Sequence, residues 1–345
     1  METTARQTEK IHPYDYIGGN PCLHLRLVRK SSWGTHHVVA FRTRHVTQYH
    51  ENNTAYGEYF LPESGAPFPL LILLHALGDA SLIPCRALAR DLARRGTACF
   101  LLYLPCHSRR TPKVFKEAEI MPLGAAQYLE LFETAVADVR TVIDWGERRT
   151  EIDSQRIAIA GVSMGGFVAA IAMGVDKRLS AGVLMLTGGN LEQITWNSRS
   201  KSVRRMHSGA NGQHRLECHR IYAQYPRYLD EVRRSGFENV IPPKECFLFD
   251  PIIFSHYLRG RPLLMVNALW DGIVPKRSVL ELWKECGKPP IIWLPTTHLG
   301  FFLWYPVVKR RLACFLHQCF SLQIDSKVRY VGSKLLVRGV TKYAV

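Results

Sequence analysis

Hydrophobic residues along the chain form short continuous runs that alternate with stretches of helical spacing. Each run has the length of a strand and lacks alternating polar positions, so we expect strands that are buried on both faces. The runs lie at residues 69–75, 97–105, 156–161, 180–189, 261–268 and 289–295. The helical stretches lie at residues 83–96, 124–149 and 164–174, after Pro275, and at 299–320. This alternation predicts an α/β fold, with a mainly parallel sheet and helices on both faces.

Two regions depart from the alternation. Residues 38–62 alternate polar and apolar positions around an Asn-rich turn, which predicts antiparallel strands before the parallel sheet. Between about 190 and 250 the strand pattern stops, and Arg, His, Tyr and Trp are frequent. We interpret this segment as a helical cap inserted over the sheet. The predicted organisation is an N-terminal extension at 1–35, one domain at 36–320 that carries the cap, and a basic tail at 321–345.

The overall composition is typical of a globular protein in a reducing compartment. Hydrophobic residues make up 47% of the chain and charged residues 21%, and the longest apolar run is too short to span a bilayer. The N-terminal region lacks the apolar core of a secretory signal. The nine cysteines are scattered without paired spacing. We therefore expect a cytoplasmic protein with no membrane span, no disulfide framework, no metal and no cofactor.

The net charge of +16 is concentrated in residues 1–50, 195–235 and 309–345. Such a distribution is compatible with nucleic-acid binding, but no recognisable RNA- or DNA-binding motif accompanies it. We interpret it as a solvated basic surface and expect no nucleic-acid partner. Because the cap carries part of the excess, it favours a small-molecule substrate that is anionic. The oligomeric state does not follow from the sequence.

A single serine between glycines interrupts two apolar segments in "IAIAGVSMGGFVAAIA". Ser163 comes two residues after Gly161, at the end of a predicted strand and at the start of a predicted helix. A hydroxyl placed there must lie in a tight strand-to-helix turn, where larger side chains at 161 and 165 would collide. The amide of Met164 would then face the hydroxyl from a helix N-terminus, where negative charge is favoured. The spacing predicts Ser163 as a nucleophile.

The next two strands along the chain end beside an acid and a base. Asp271 follows the strand at 261–268, and His298 follows the strand at 289–295. Because the carboxyl ends of parallel strands meet at one edge of a sheet, both side chains are expected beside Ser163. A serine hydroxyl needs a base to accept its proton, and that base needs an orienting acid. We predict a Ser163–His298–Asp271 triad.

A developing oxyanion also needs a second amide donor, which normally comes from the loop after an early strand. The segment "LLHALGDAS" fits this position. His75 is expected to brace the loop, and the amide of Ala76 or of Leu77 is expected to face the substrate, opposite that of Met164.

Two further segments are candidates for the pocket wall. Residues 103–112, "YLPCHSRRTP", follow the second predicted apolar strand, at the same edge of the sheet, so that His107, Arg109 and Arg110 either line the pocket or form a solvated loop. Cys106 in the same loop is interpreted as a structural thiol. The cap supplies four aromatic side chains that would form apolar walls, namely Trp196, Tyr222, Tyr225 and Tyr228.

With these motifs in place, the chain resembles the α/β-hydrolase superfamily. The resemblance extends from about residue 57 to 320 and rests on "HALG", "GVSMGG", "NALWDGIVP" and "TTHLG". Within the superfamily the chain is similar to the dienelactone-hydrolase-like and prolyl-oligopeptidase-like serine hydrolases. The resemblance implies an α/β-hydrolase sheet with a helical cap, an acyl-enzyme intermediate and no cofactor. Ala76 stands where many relatives have glycine, and Ser163 where dienelactone hydrolases proper have cysteine.

The predicted function is a serine hydrolase that cleaves a carboxylic ester or a related acyl compound. A peptidase or a thioesterase would use the same triad, and the sequence does not separate these activities. A binding protein that kept the fold without catalysis is a further alternative, which the three competent residues at 163, 271 and 298 disfavour.

Overall fold

The computed structural model describes residues 12–79, 81–115, 123–200, 203 and 212–324; for residues 212–213 and 322–324 only the backbone is described. Residues 325–345 of the predicted basic tail, and residues 201–202 and 204–211 of the predicted cap, lie outside the described parts. Nine strands are present in the described ranges: β1 (His24–Ser31), β2 (Gly34–Arg42), β3 (Thr54–Pro62), β4 (Phe68–Leu74), β5 (Ala98–Leu102), β6 (Ile152–Val162), β7 (Leu179–Met185), β8 (Leu263–Ala268) and β9 (Ile291–Leu294).

The strands form one sheet in the order β1-β2-β3-β5-β4-β6-β7-β8-β9. The first three strands pair antiparallel, and β3 is also antiparallel to β5. From β5 to β9 every pairing is parallel. The predicted mainly parallel α/β sheet with N-terminal antiparallel strands is therefore confirmed. The order also places β4, β6, β7, β8 and β9 side by side, so the loops at their carboxyl ends share one edge of the sheet.

The α-helices in the described ranges cover both faces of the sheet. They are α1 (Ile83–Ala93), α2 (Ala125–Gly146), α3 (Met164–Val175), α4 (Leu191–Asn197), α5 (Gly212–Tyr222), α6 (Tyr225–Ser235), α7 (Pro251–Leu258), α8 (Lys276–Glu285) and α9 (Tyr305–Ile324). No helix in these ranges combines the length and the apolar character that crossing a membrane requires.

The strand β4 shows why the central runs lack polar positions. Its side chains alternate between the two faces of the sheet, as in any strand. Leu70, Ile72 and Leu74 lie in the core layer that includes α2 and α3, whereas Leu71 and Leu73 lie in the layer that includes α1 and α9. Every residue of β4 is buried. The strand is therefore apolar throughout because helices cover both of its faces.

The predicted cap segment contains helices and no strand in its described residues. The sequence pattern favoured one helix across residues 215–236, but the structure has two, α5 and α6, which meet at residues 223–224. Pro226 stands at the start of α6, where a missing amide proton is tolerated and where it cannot continue a preceding helix. The buried carboxylate of Asp250 accepts hydrogen bonds from the amides of Asn190 and Leu191 (3.0 and 2.9 Å). It thereby fixes the start of α4 to the segment that precedes α7.

Candidate active site

Ser163 occupies the turn between β6 and α3. Its backbone has φ 52° and ψ −117°, a strained conformation that serine rarely adopts and that persists only where the surrounding structure holds it. The Ser163 amide donates to the carbonyl of Met185 on β7 (2.8 Å), and its carbonyl accepts from the amides of Gly166 and Phe167 (2.8 and 3.1 Å). These bonds hold the backbone on both sides of the hydroxyl.

Glycine is required on both sides of the turn because the backbone passes too close for a side chain. A Cβ atom at Gly161 would lie 2.0 Å from the carbonyl oxygen of Gly165. A Cβ atom at Gly165 would lie 2.6 Å from the carbonyl oxygen of His75. Either substitution would therefore shift the backbone that carries the serine.

The structure brings Ser163, His298 and Asp271 together. His298 Nε2 lies 3.1 Å from Ser163 Oγ, and His298 Nδ1 lies 2.8 and 3.0 Å from the two carboxylate oxygens of Asp271. Because a carboxylate accepts, the ring proton belongs on Nδ1, which leaves Nε2 free to accept from the serine hydroxyl. The three side chains can thus pass a proton from the hydroxyl to the ring while the carboxylate stabilises the positive charge.

The acid and the base are carried on loops that are joined to each other. Asp271 Oδ1 accepts from the amides of Ile273 and Val274 (2.8 and 2.9 Å), which fixes the carboxylate in its own turn. Beyond β8 and β9 the pairing continues, since the amide of Trp270 donates to the carbonyl of Thr296 (3.0 Å). The relative position of Asp271 and His298 is therefore set by the sheet itself.

Two segments that could supply oxyanion donors flank the serine. Leu77, which follows β4, and Met164, which begins α3, line the same cavity as Ser163. As the first residue of α3, Met164 has an amide without an intrahelical acceptor. Ala76 does not contact this cavity; its carbonyl accepts from the ring of His75 (2.8 Å) and from the amide of Asp79 (3.3 Å).

His75 is fully buried behind this loop. The amide of Leu104, which follows β5, donates to His75 Nε2 (3.0 Å), so the ring proton must be on Nδ1, where it binds the carbonyl of Ala76. Burial and the neighbouring ring of His107 lower the pKa of His75 to about 3. The ring is consequently neutral at physiological pH and contacts backbone groups of both loops.

A cavity of about 590 Å³ opens beside Ser163 between the sheet edge and helices α4 and α5. Its wall is mostly apolar and includes residues of α2, α3, α4 and α5. Representative lining side chains are Leu123, Phe132, Phe167, Leu191, Ile194, Ile221, Phe249 and Ile273. Such a lining suits an uncharged group of a bound ligand, which would lie within reach of the serine hydroxyl.

The cap aromatics divide into two groups. Trp196 and Tyr222 line the cavity. Tyr225 and Tyr228 do not; they are buried and pack around Phe247, with ring centroids 4.9 and 5.3 Å from it. Their role in the described structure is to hold α6 against the body of the protein.

No residue of the loop after β5 lines the cavity; Arg109 is exposed, as in the solvated alternative, whereas His107 and Arg110 are buried. His107 is 4% exposed and Arg110 is fully buried. The Arg110 guanidinium donates to the carboxylate of Asp138 (2.7 Å) and to the carbonyls of Tyr103 and Asn52 (both 2.8 Å). The sequence offered no signal for this burial, because two of the three partners, Asn52 and Asp138, lie 58 and 28 residues away along the chain.

Breaking this buried ion pair is expected to destabilise the protein. The Asp138→Asn variant leaves the Arg110 charge buried without its partner, which should lower the free energy of unfolding by about 3–5 kcal/mol. Urea unfolding followed by fluorescence measures the change. The matched control is Glu231→Gln, which removes the exposed Arg227–Glu231 pair (2.9 Å) and should cost less than about 0.5 kcal/mol. A loss below about 1 kcal/mol in Asp138→Asn would contradict the expectation.

Cys106 and the two cysteines that line the cavity lack the features of an activated thiol. Cys106 is buried and its sulfur accepts from the Asn52 side chain (3.2 Å), while burial raises its thiol pKa. Cys218 and Cys246 line the cavity, and burial likewise raises the pKa of each. No group of three His, Cys, Asp or Glu side chains in the described ranges is arranged to hold a metal ion.

Comparisons with known proteins agree with this architecture. Residues 48–191 match the family described as "Alpha/beta hydrolase domain containing 18". An uncharacterised protein of Mycobacterium tuberculosis, found in two strains, is 24% identical over 263 residues. That alignment covers 75% of this chain and 56% of the relative, so the chain spans about half the length of the curated relatives it matches.

Solved structures with the same fold include several hydrolases. An acetyl xylan esterase from Paenibacillus sp. R4 superposes with a TM-score of 0.64 at 17% identity, covering 87% of this chain and 89% of that one. The α/β hydrolase GrgF from Penicillium sp. sh18 has a TM-score of 0.56 at 16% identity, covering 83% and 99%. A cold-adapted esterase from an Arctic intertidal metagenomic library has a TM-score of 0.51 at 16% identity, covering 84% and 97%. The chain therefore has the α/β-hydrolase fold, and part of it, residues 48–191, matches an alpha/beta hydrolase family.

Proposed function

We propose that this protein is a serine hydrolase that cleaves carboxylic esters through Ser163, His298 and Asp271. The observation that carries the proposal is the continuous hydrogen-bonded chain from the Asp271 carboxylate through His298 to Ser163, which lines an apolar cavity. Esterases among the proteins of similar fold are consistent with it. The assignment of residues 190–250 as a cap over this cavity is part of the same proposal.

In the first half of the reaction, Ser163 Oγ attacks the ester carbonyl carbon while His298 Nε2 takes the hydroxyl proton. The carbonyl oxygen becomes an oxyanion, which the amides of Leu77 and Met164 stabilise. Asp271 stabilises the imidazolium and does not itself take the proton. The intermediate then collapses, the bond to the leaving-group oxygen breaks, and that oxygen takes the proton from Nε2. An acyl group remains bonded to Ser163 Oγ.

In the second half, water attacks the acyl carbon and gives its proton to His298 Nε2. The oxyanion forms again at the same donors. Its collapse breaks the bond to Ser163 Oγ, which recovers the proton from Nε2, and the carboxylic acid leaves. The resting state is thereby restored without any cofactor.

Active-site labelling tests the proposal. A fluorophosphonate probe should add one phosphonyl group to Ser163 and none to Ser180, an internal control that lies at the start of β7 with its hydroxyl bonded to the carbonyl of Ile157. Peptide mass spectrometry locates the modification. Absence of labelling, or labelling of other serines alone, would refute an activated Ser163. Parallel assays on matched nitrophenyl esters, thioesters and anilides then separate an esterase from a thioesterase or a peptidase.

We further propose that the cavity holds the acyl group. Each methylene that enters an apolar wall contributes about 0.8 kcal/mol, so kcat/KM should rise by up to about fourfold per added methylene until the cavity is full. A series of nitrophenyl esters from acetate upwards measures this profile. The Ile194→Trp variant on α4 should penalise the longer esters more than acetate, whereas Ile17→Trp, at a position that is 88% exposed, should leave the profile unchanged. A flat profile would place the acyl group elsewhere.

A preference for anionic substrates stays a prediction. The described lining contains the carboxylates Glu192 and Glu217 beside one lysine, Lys244, so it has no excess of positive charge. Glu192 is also 2.9 Å from His219 on α5. Comparing neutral and carboxylate-bearing esters at several ionic strengths tests this preference, because steering by the basic cap would weaken as salt is added.

A further inference from the structure

Two buried histidines on neighbouring loops each accept a hydrogen bond from the backbone of the other loop. His75 follows β4 and accepts from the amide of Leu104 in the loop after β5. His107 lies in the loop after β5 and accepts at Nε2 from the amide of Gly78 in the loop after β4 (3.1 Å). Each ring therefore accepts a hydrogen bond across to the other loop. The two rings are themselves in edge-to-face contact, with centroids 4.8 Å apart.

The hydrogen bonds of the two nitrogens in each ring define its tautomer. Because Nε2 of each ring accepts, each ring proton is on Nδ1. His75 Nδ1 donates to the carbonyl of Ala76 and His107 Nδ1 donates to the carbonyl of Pro105 (both 2.8 Å). Each histidine thus donates within its own loop and accepts from the other. Burial lowers the pKa of both rings, so this pattern persists at neutral pH. Protonation of either Nε2 would set an N–H against an amide N–H.

These bonds fix the two peptide planes on either side of Leu77. The plane between Ala76 and Leu77 is held by His75, because its carbonyl oxygen accepts from the ring. In a trans peptide the N–H points away from the carbonyl, so the direction of the Leu77 amide is fixed by the same bond. The plane between Leu77 and Gly78 is held by His107 through the Gly78 amide. Gly78 has φ +74°, and the Asp79 amide closes a four-residue turn onto the carbonyl of Ala76.

We propose that His107, paired with His75, is a positioning residue that orients the Leu77 amide toward the oxyanion. The inference rests on the proposed ester hydrolysis, in which that amide is a donor. His107 does not line the described cavity; it acts through the backbone of the loop. A donor that is misdirected by loss of this anchor stabilises the transition state less, whereas the ground-state ester is bound by the apolar wall. The loss therefore falls on kcat and leaves KM nearly unchanged.

A pair of variants that differ by one methylene tests the proposal. In His107→Gln the side-chain oxygen can reach the position of Nε2 and accept from Gly78. In His107→Asn the shorter amide can still donate to Pro105 but cannot reach Gly78. We expect His107→Asn to lower kcat for a nitrophenyl ester by about 10²-fold, the effect of one lost oxyanion donor, with KM within about threefold. His107→Gln should stay within about fivefold of the unmodified enzyme in both constants.

Rates are expressed per active site, titrated with the fluorophosphonate probe, so that loss of folded protein does not enter kcat. The pH profile of kcat/KM should be the same in both variants, because a neutral ring that does not titrate is being replaced. Equal losses in the two variants, or full activity of His107→Asn, would overturn the proposal.

In the unmodified protein, nitrogen-15 NMR should show both rings neutral and protonated on Nδ1 between pH 6 and 8. A ring that titrates in that range, or carries its proton on Nε2, would also overturn it.

Failure of this inference is distinguishable from failure of the proposed function. If the unmodified protein neither reacts with the fluorophosphonate nor hydrolyses any ester, the proposed function itself is wrong. If the unmodified protein does both and His107→Asn does so equally well, Ser163 is an active nucleophile and the histidine pair has no part in positioning the donor.

Discussion

Replacing Ser163 by alanine is expected to lower kcat for ester hydrolysis by about 10⁵- to 10⁶-fold, the loss typical of removing a serine nucleophile that acts with a histidine base. Without the hydroxyl, His298 has no proton to accept and no acyl-enzyme can form. The residual rate would come from water attacking at the oxyanion donors. Assays with nitrophenyl esters can measure a loss of this size in kcat if the variant is used at a higher enzyme concentration.

The control for this variant is Ser180→Ala, which also removes one serine hydroxyl, but near the amino end of β7. Ser180 is 17 residues beyond Ser163 and its hydroxyl binds only backbone in the described structure. It should leave kcat within about twofold, since it lies far from the reacting atoms. If Ser163→Ala kept more than about 1% of the activity, another group would have to be the nucleophile.

Replacing Asp271 by asparagine is expected to lower kcat by about 10⁴-fold, as loss of the orienting carboxylate does in triads of this kind. The amides of Ile273 and Val274 both bind Oδ1, so the asparagine oxygen will take that position. Its NH₂ group then faces His298 Nδ1, which must accept. The ring proton moves to Nε2, the atom that should receive the proton of Ser163.

Steady-state kinetics and active-site titration measure this effect, with KM expected to change little because Asp271 does not line the cavity. Asp230→Asn on α6, where the carboxylate is 63% exposed, serves as the matched control and should retain full activity. A loss below about tenfold in Asp271→Asn would indicate that the tautomer of His298 is fixed by another group.

The sequence was sufficient to predict those parts of the fold and of the candidate site that leave a pattern in neighbouring residues. β4 is apolar at every position because two helical layers cover it, and that pattern is visible in seven consecutive residues. The turn at Ser163 was recognisable because it needs glycine at Gly161 and Gly165. Asp271 and His298 could be placed because a parallel sheet collects the ends of its strands at one edge.

Features that depend on long-range partners were not predictable in this way. β1 lies within residues 1–35, assigned to an extension, and its residues are mostly exposed, as at the edge of a sheet. Arg110 was expected in a pocket wall or in solvent, and it is buried because Asp138 is 28 residues away along the chain but 2.7 Å away in space. The mutual contacts of His75 and His107 likewise depend on which loops the strand order makes neighbours.

The bond between Trp270 and Thr296 has an evolutionary consequence. It continues the β8–β9 pairing past the sheet, so that the acid and the base of the proposed triad, 27 residues apart, form a local unit. The serine is 135 residues from His298. A descendant could exchange its nucleophile through a single codon and inherit the histidine and its carboxylate already assembled.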